Sequence, residues 1–157
     1  MKYLILITTF LLQSCASAQA TDVYRKIVDD IKNSKKYEDF TNQSKQKCKG
    51  LFVSKYKYSV CSFGSFFKNE EIKAFIDNEC SEEETFKTEK SNVLNKLSDK
   101  GETCFIADFS FKVKDKIAVK IISKSDENKI GYESLHFLYD VSNNQAQRLE
   151  IIEVTND

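Results

Sequence analysis

His136 is the only histidine of the chain, so a general-base or nucleophilic mechanism of the usual kind has to pass through it. Strand alternation places it with Ser134 and Asp140 on one side of a single strand, opposite Leu135, Phe137 and Tyr139. A serine, a histidine and an aspartate sound like a charge-relay set. Residues two apart on a strand point side by side, however, and do not converge as nucleophile, base and orienter. Asp108 faces the same side from an earlier strand, with Ile117 to Ile121 expected to lie between. His136 is therefore expected to face solvent, and no catalytic residue is assigned. Glu82, Glu83 and Glu84 could hold a cation, but three acids in the first turn of a helix are explained by the positive end of its dipole. There is no C-x-x-C, and His136 is remote in sequence from every cysteine, so no metal site is expected. With only 4 Gly, no glycine-rich phosphate loop is visible either, and no cofactor is expected.

The cysteines point instead to export. Met1 to about Ala20 has a basic start at Lys2, an apolar run from Tyr3 to Leu12 and then small residues, the layout of a signal peptide over 1–20. Within it, Leu12-Gln13-Ser14-Cys15 resembles the lipobox of bacterial lipoproteins, which implies cleavage before Cys15 and lipidation of that residue. The rival is cleavage after Ala18-Gln19-Ala20, which would discard Cys15. Either outcome leaves Cys48, Cys61, Cys80 and Cys104, an even set that reads as two disulfides in an oxidising compartment. Of the three connectivities, Cys48 with Cys61 and Cys80 with Cys104 is preferred, each contributing on the order of 3 kcal/mol. Asn42-Gln43-Ser44 fits a glycosylation acceptor and matters only in a eukaryotic secretory pathway. A bacterial envelope is the preferred setting, and a eukaryotic secreted protein is the rival.

Composition bounds the rest. The chain of 157 residues is long enough for one core and too short to argue for two, so 21–157 reads as a single domain. Lys+Arg 24 balances Asp+Glu 24 with the charges dispersed, which argues against nucleic acid as a partner and leaves Cys15 as the only expected link to a membrane. The single leader run is too short to span a bilayer, which takes ~20 apolar residues.

The elements that must position these residues follow from hydrophobic period. Val23, Ile27, Val28 and Ile31 fall at helical spacing, and the polar stretch 33–49, anchored by Tyr37 and Phe40, reads as a broken or short second helix. Leu51 to Phe67 turns aromatic and β-branched, which suggests one strand or a small hairpin. Asn69 caps a helix bearing Ile72, Phe75 and Ile76. Ser81 and Glu84 form a capping box for another, carrying Phe86, Val93, Leu94 and Leu97 and ending at Gly101. Phe105 to Val113, Ile117 to Ile121, Leu135 to Val141 and a last run at the end of the chain alternate with period two.

The expected fold is α+β, with N-terminal helices packed on a C-terminal four-stranded antiparallel meander and stapled by disulfides. This element order resembles the cystatin-like and nuclear-transport-factor-like architectures, which implies a curved sheet wrapped around a helix and assigns no residue a role. Tyr56, Tyr58, Phe63, Phe66 and Phe67 are more aromatics than one side of a strand can hide. They read either as core or as a binding face. The expectation is an exported, non-enzymatic module that holds or blocks a protein partner, as an inhibitor or toxin-neutralising protein would. A carrier of a small apolar ligand is the alternative.

Overall fold

The computed structural model of the chain describes residues 22–44, 46–64, 66–126 and 133–155. The expected leader and Cys15 lie outside the described residues. Helix α1 (22–32) buries Val23, Ile27, Val28 and Ile31, the apolar stripe that its spacing predicts. Helix α2 (Lys35–Gln43) starts at Ser34, whose hydroxyl accepts the Tyr37 amide at 3.2 Å, and buries Tyr37 and Phe40. Then come β1 (Leu51–Tyr58), a 3-10 turn at Val60–Phe63, α3 (Glu70–Glu79) and α4 (Glu82–Thr85). The remaining strands are β2 (Thr88–Lys90), β3 (Phe105–Ser110), β4 (Lys116–Ser123), β5 (Glu133–Asp140) and β6 (Gln147–Thr155).

The sheet is not a four-stranded antiparallel meander. It has six strands in the order β2-β1-β3-β4-β5-β6 and is mixed, because β1 runs parallel to β3 while every other pair is antiparallel. The class remains α+β. A parallel pair needs a crossover, and here the crossover is the chain through α3 and α4, which returns to start β3 beside the start of β1. Leu51 sits opposite Phe105 and Val53 opposite Ala107. A long helix from Ser81 to Gly101 does not form either. The Ser81 hydroxyl does accept the Glu84 amide at 3.2 Å. The Glu84 carboxylate does not close the box; it accepts from the Ser59 hydroxyl at 3.2 Å, and the helix stops after one turn. The chain then pairs Thr88 to Lys90 with β1 and buries Leu94 from a 3-10 turn.

Both faces of the sheet are covered. On the inner face, α1 and α2 pack Ile27, Ile31, Tyr37 and Phe40 against Phe105, Phe109, Val119 and Phe137. Tyr139 donates to Asp30 at 2.7 Å and Arg148 reaches the same carboxylate at 2.8 Å, which ties α1 to β5 and β6. On the outer face, Val60, Phe63 and Phe67 join Ile72 of α3 over Ala118 and Leu138. Full burial of one face of this sheet is worth about 1.5–3 kcal/mol for each large side chain removed from water.

The disulfides join Cys48 to Cys104 and Cys61 to Cys80, not the preferred pairs. The parallel register explains the first, since Cys48 and Cys104 each lie just ahead of two strands that begin side by side. Gly50 seals this point: its carbonyl accepts the Cys104 and Phe105 amides, and a Cβ there would overlap the Glu102 carbonyl oxygen. The second follows from α3, which folds back so that its C-terminal Cys80 meets the 3-10 turn after β1. Two disulfides fit an oxidising, non-cytoplasmic compartment. Among the described residues, no helix is long and apolar enough to cross a membrane.

Candidate functional site

The outer face is where the chemistry-bearing residues gather. In register across it stand Asp108 on β3, Lys120 on β4, His136 on β5 and Ile152 on β6, each directly opposite the next. His136 is not on a wet face. It is 2% exposed, because the second layer covers this side of the sheet. The Phe63, Phe66 and Phe67 rings surround the imidazole edge-on, with centroids 6.4, 5.5 and 6.1 Å away. Its Nε2 is hydrogen-bonded to the Ser134 hydroxyl at 2.8 Å, and its Nδ1 is buried with no hydrogen-bond partner among the described residues. Burial, and then the Lys120 charge beside it, pull the imidazole down to about 4 from its usual 6.5. The ring is neutral at neutral pH.

This arrangement is not a charge-relay set. Ser134 and His136 lie side by side on one strand, no carboxylate holds Nδ1, and Ser134 is also 2% exposed. Asp108 lies 3.9 Å from Lys120, the residue that stands between it and His136. Asp140 is at the far end of β5, bound to the Ser142 amide at 2.8 Å and to Lys116 at 3.3 Å. Its carboxyl is held below the ordinary carboxylate range by the Ser142 hydrogen bonds first and Lys116 after them.

The five aromatic residues singled out by sequence divide. Phe63 and Phe67 are each 2% exposed and belong to the outer core. Tyr58 is half-buried, with its hydroxyl bonded to Ser54 at 3.2 Å. Tyr56 and Phe66 are exposed, at 38% and 43%. Phe52, which sequence reasoning missed, joins them at 40%. Val53 and Lys57 of β1 turn to the inner face, so Phe52 and Tyr56 alternate onto the outer one. The signal for Phe52 was hidden because Leu51-Phe52-Val53 is apolar without alternation. Lysine ammonium groups lie over two of these rings, Lys124 at 5.1 Å from the Phe52 centroid and Lys55 at 5.4 Å from that of Tyr56.

Phe66 owes its position to Gly64. That residue has φ +80°, a conformation L side chains rarely adopt, and the Phe66 ring occupies the space that a Cβ on Gly64 would need. At the start of α3, an open cleft of about 810 Å³ is lined by Glu71, Lys116, Asp140 and Ile152 among others. Its charges satisfy one another: Lys116 bridges Glu71 at 2.6 Å and Asp140 at 3.3 Å. The acidic turn Glu82 to Glu84 is engaged through Glu84 with Ser59 and Lys87. Cys48, Cys104 and Glu102 bring potential ligand atoms together, but both sulfurs are committed to the disulfide. No protein-family model, curated protein or solved structure matches the chain.

Proposed function

We propose that this is an exported, non-enzymatic binding module that docks a protein partner through the exposed aromatic residues of its outer face. The observation that carries this is the exposure of Phe52, Tyr56 and Phe66 on one side of a sheet whose other side carries the main core with α1 and α2. Exposed Tyr and Phe are enriched at interfaces, and β1 holds Phe52 and Tyr56 on a rigid strand at little cost in entropy. The described clefts are open and rimmed by charge, which favours a partner over carriage of an apolar ligand. The test compares capture from the native envelope extract by the wild-type domain and by Phe52→Ser and Phe66→Ser. A specific species held by wild type is expected to be lost at least about tenfold in each variant, the 1.4 kcal/mol scale of an interface hot spot. Equal recovery by all three would sink the reading.

The setting we propose is the bacterial envelope, as a periplasmic protein or as an outer-membrane lipoprotein anchored through Cys15, with secretion as the alternative. The lipobox-like Leu12-Gln13-Ser14-Cys15 supports the anchor. Cys15→Ser is expected to abolish acylation and move the protein to the soluble fraction. A wild-type protein already soluble, with Thr21 at its amino terminus, would rule the anchor out.

A further inference from the structure

The buried imidazole has no part in the docking surface described above, yet Phe66 of that surface rests on it. We propose that His136 is an acid-sensitive latch: while neutral it seats Phe63, Phe66 and Phe67 on the outer face, and protonation in mild acid unseats them.

The neutral ring suits its surroundings. One nitrogen is bonded to the Ser134 hydroxyl, and the rest of the ring meets three phenyl groups that neither solvate nor repel it. A proton on Nδ1 changes this. It places an N–H donor with a net charge on a buried atom that no acceptor among the described residues reaches. The described charged groups around it do not compensate. Directly opposite on β4 stands Lys120, itself a cation. Asp108 on β3 lies beyond Lys120 and faces it at 3.9 Å. On β6 the opposing residue is Ile152, and Glu150, one alternation further, accepts the Lys68 amide at 2.9 Å. The covering layer contributes phenyl rings, and α3 contributes Ile72, Phe75 and Ile76 to the same cluster.

A charged His136 therefore gains most by reaching water, and the covering ring that itself meets water is Phe66, 43% exposed while Phe63 and Phe67 are 2% exposed. The ends of this covering stretch stay fixed. Cys61 is bonded to Cys80, and the Lys68 amide is held by Glu150. Gly64, with its positive φ beneath the Phe66 ring, supplies the freedom for the rings to lift without unfolding the sheet.

The sign follows from linkage. A histidine whose folded-state affinity for protons is depressed favours the closed form fully above about pH 6.5, and that preference falls as the pH drops toward its folded value. The equilibrium for unseating the rings rises by less than tenfold per pH unit, about 40-fold in all between pH 6.5 and 4.5. Glu71 and Asp140 are lowered carboxylates, so their support of the fold is complete above the ordinary carboxylate range and begins to fall on entering it, which leaves the window above about pH 5 to His136.

The test uses the mature protein alone, so its failure is separate from that of the docking proposal. Ring-proton NMR of the single histidine is followed from pH 7.5 to 4, together with the Overhauser contacts from His136 to Phe66 and Phe67. The expected result is loss of both contacts in step with protonation of His136, and absence of any near-UV dichroism change above pH 4.5 in His136→Leu. Titration of His136 near 6.5 with the contacts intact would overturn the latch. So would contacts that persist to pH 4, or a His136→Leu protein that keeps the same acid transition.

Discussion

Phe137→Ala is expected to lower the unfolding free energy by about 3–5 kcal/mol, read as a shift of the urea midpoint at unchanged slope. Phe137 is fully buried on β5, lies opposite Val119 and Ile151, and stacks on Tyr139 with centroids 6.2 Å apart. Neighbouring strands and helix α1 close around it, so the space left by the ring cannot collapse cheaply. Phe86 provides the contrast within the same protein: it is 75% exposed, and its replacement by alanine is expected to stay within ~0.5 kcal/mol. A cost below about 1 kcal/mol at Phe137 would mean that this side of β5 is not the inner core.

The second large effect concerns the bond between Cys48 and Cys104. Replacing both by alanine is expected to cost about 4 kcal/mol, against about 3 kcal/mol for the same change at Cys61 and Cys80. The difference comes from loop size, since the first bond closes 56 residues of sequence and the second 19. A larger loop removes more freedom from the unfolded chain. Guanidinium unfolding of the two double variants checks the order, and a reversed order would show that native-state packing at the 3-10 turn outweighs chain entropy.

Much of the frame was legible because it is local. Asn69 caps α3 and accepts the Ile72 amide at 3.2 Å, as a side-chain cap ahead of an amphipathic stretch should. The alternation in Leu135, Phe137 and Tyr139 correctly identifies the inner face of β5, since all three join the core that α1 and α2 cover. What sequence reasoning missed is non-local. A strand such as Leu51–Tyr58 reads the same whether it pairs with a hairpin partner or runs parallel to a strand 50-odd residues on, about a domain's width of chain away. Thr88 to Lys90 carries no buried residue, so nothing in its composition announces a strand. His136 was misplaced for one reason: alternation finds a buried face but does not show that the opposite face is wet. The hint lay in Ala118, Leu138 and Ile152, apolar residues at positions where a solvated face would carry polar ones. The candidate site was half visible. Tyr56 and Phe66 stood out as surplus aromatics, while Phe52 was hidden in an apolar run and the imidazole's setting depended on the crossover.

Burial of both faces changes what fixes the alignment of the strands. In a sheet with one wet face, a slip of one residue exposes the whole apolar set, and hydrophobicity alone chooses the register. Had the outer face here been wholly aliphatic, such a slip would have exchanged one buried set for another at little cost. The polar minority prevents this. Turned inward, Lys116, Lys120, His136 and Asp140 would enter a core of Phe105, Val119 and Phe137. Lys116 with Asp140, and Lys120 with Asp108, find each other across strands in one alignment only, as does Ser110, whose hydroxyl accepts the Ala118 amide at 2.8 Å. These side chains add little to how tightly the protein holds together. They select which of several equally greasy arrangements it adopts.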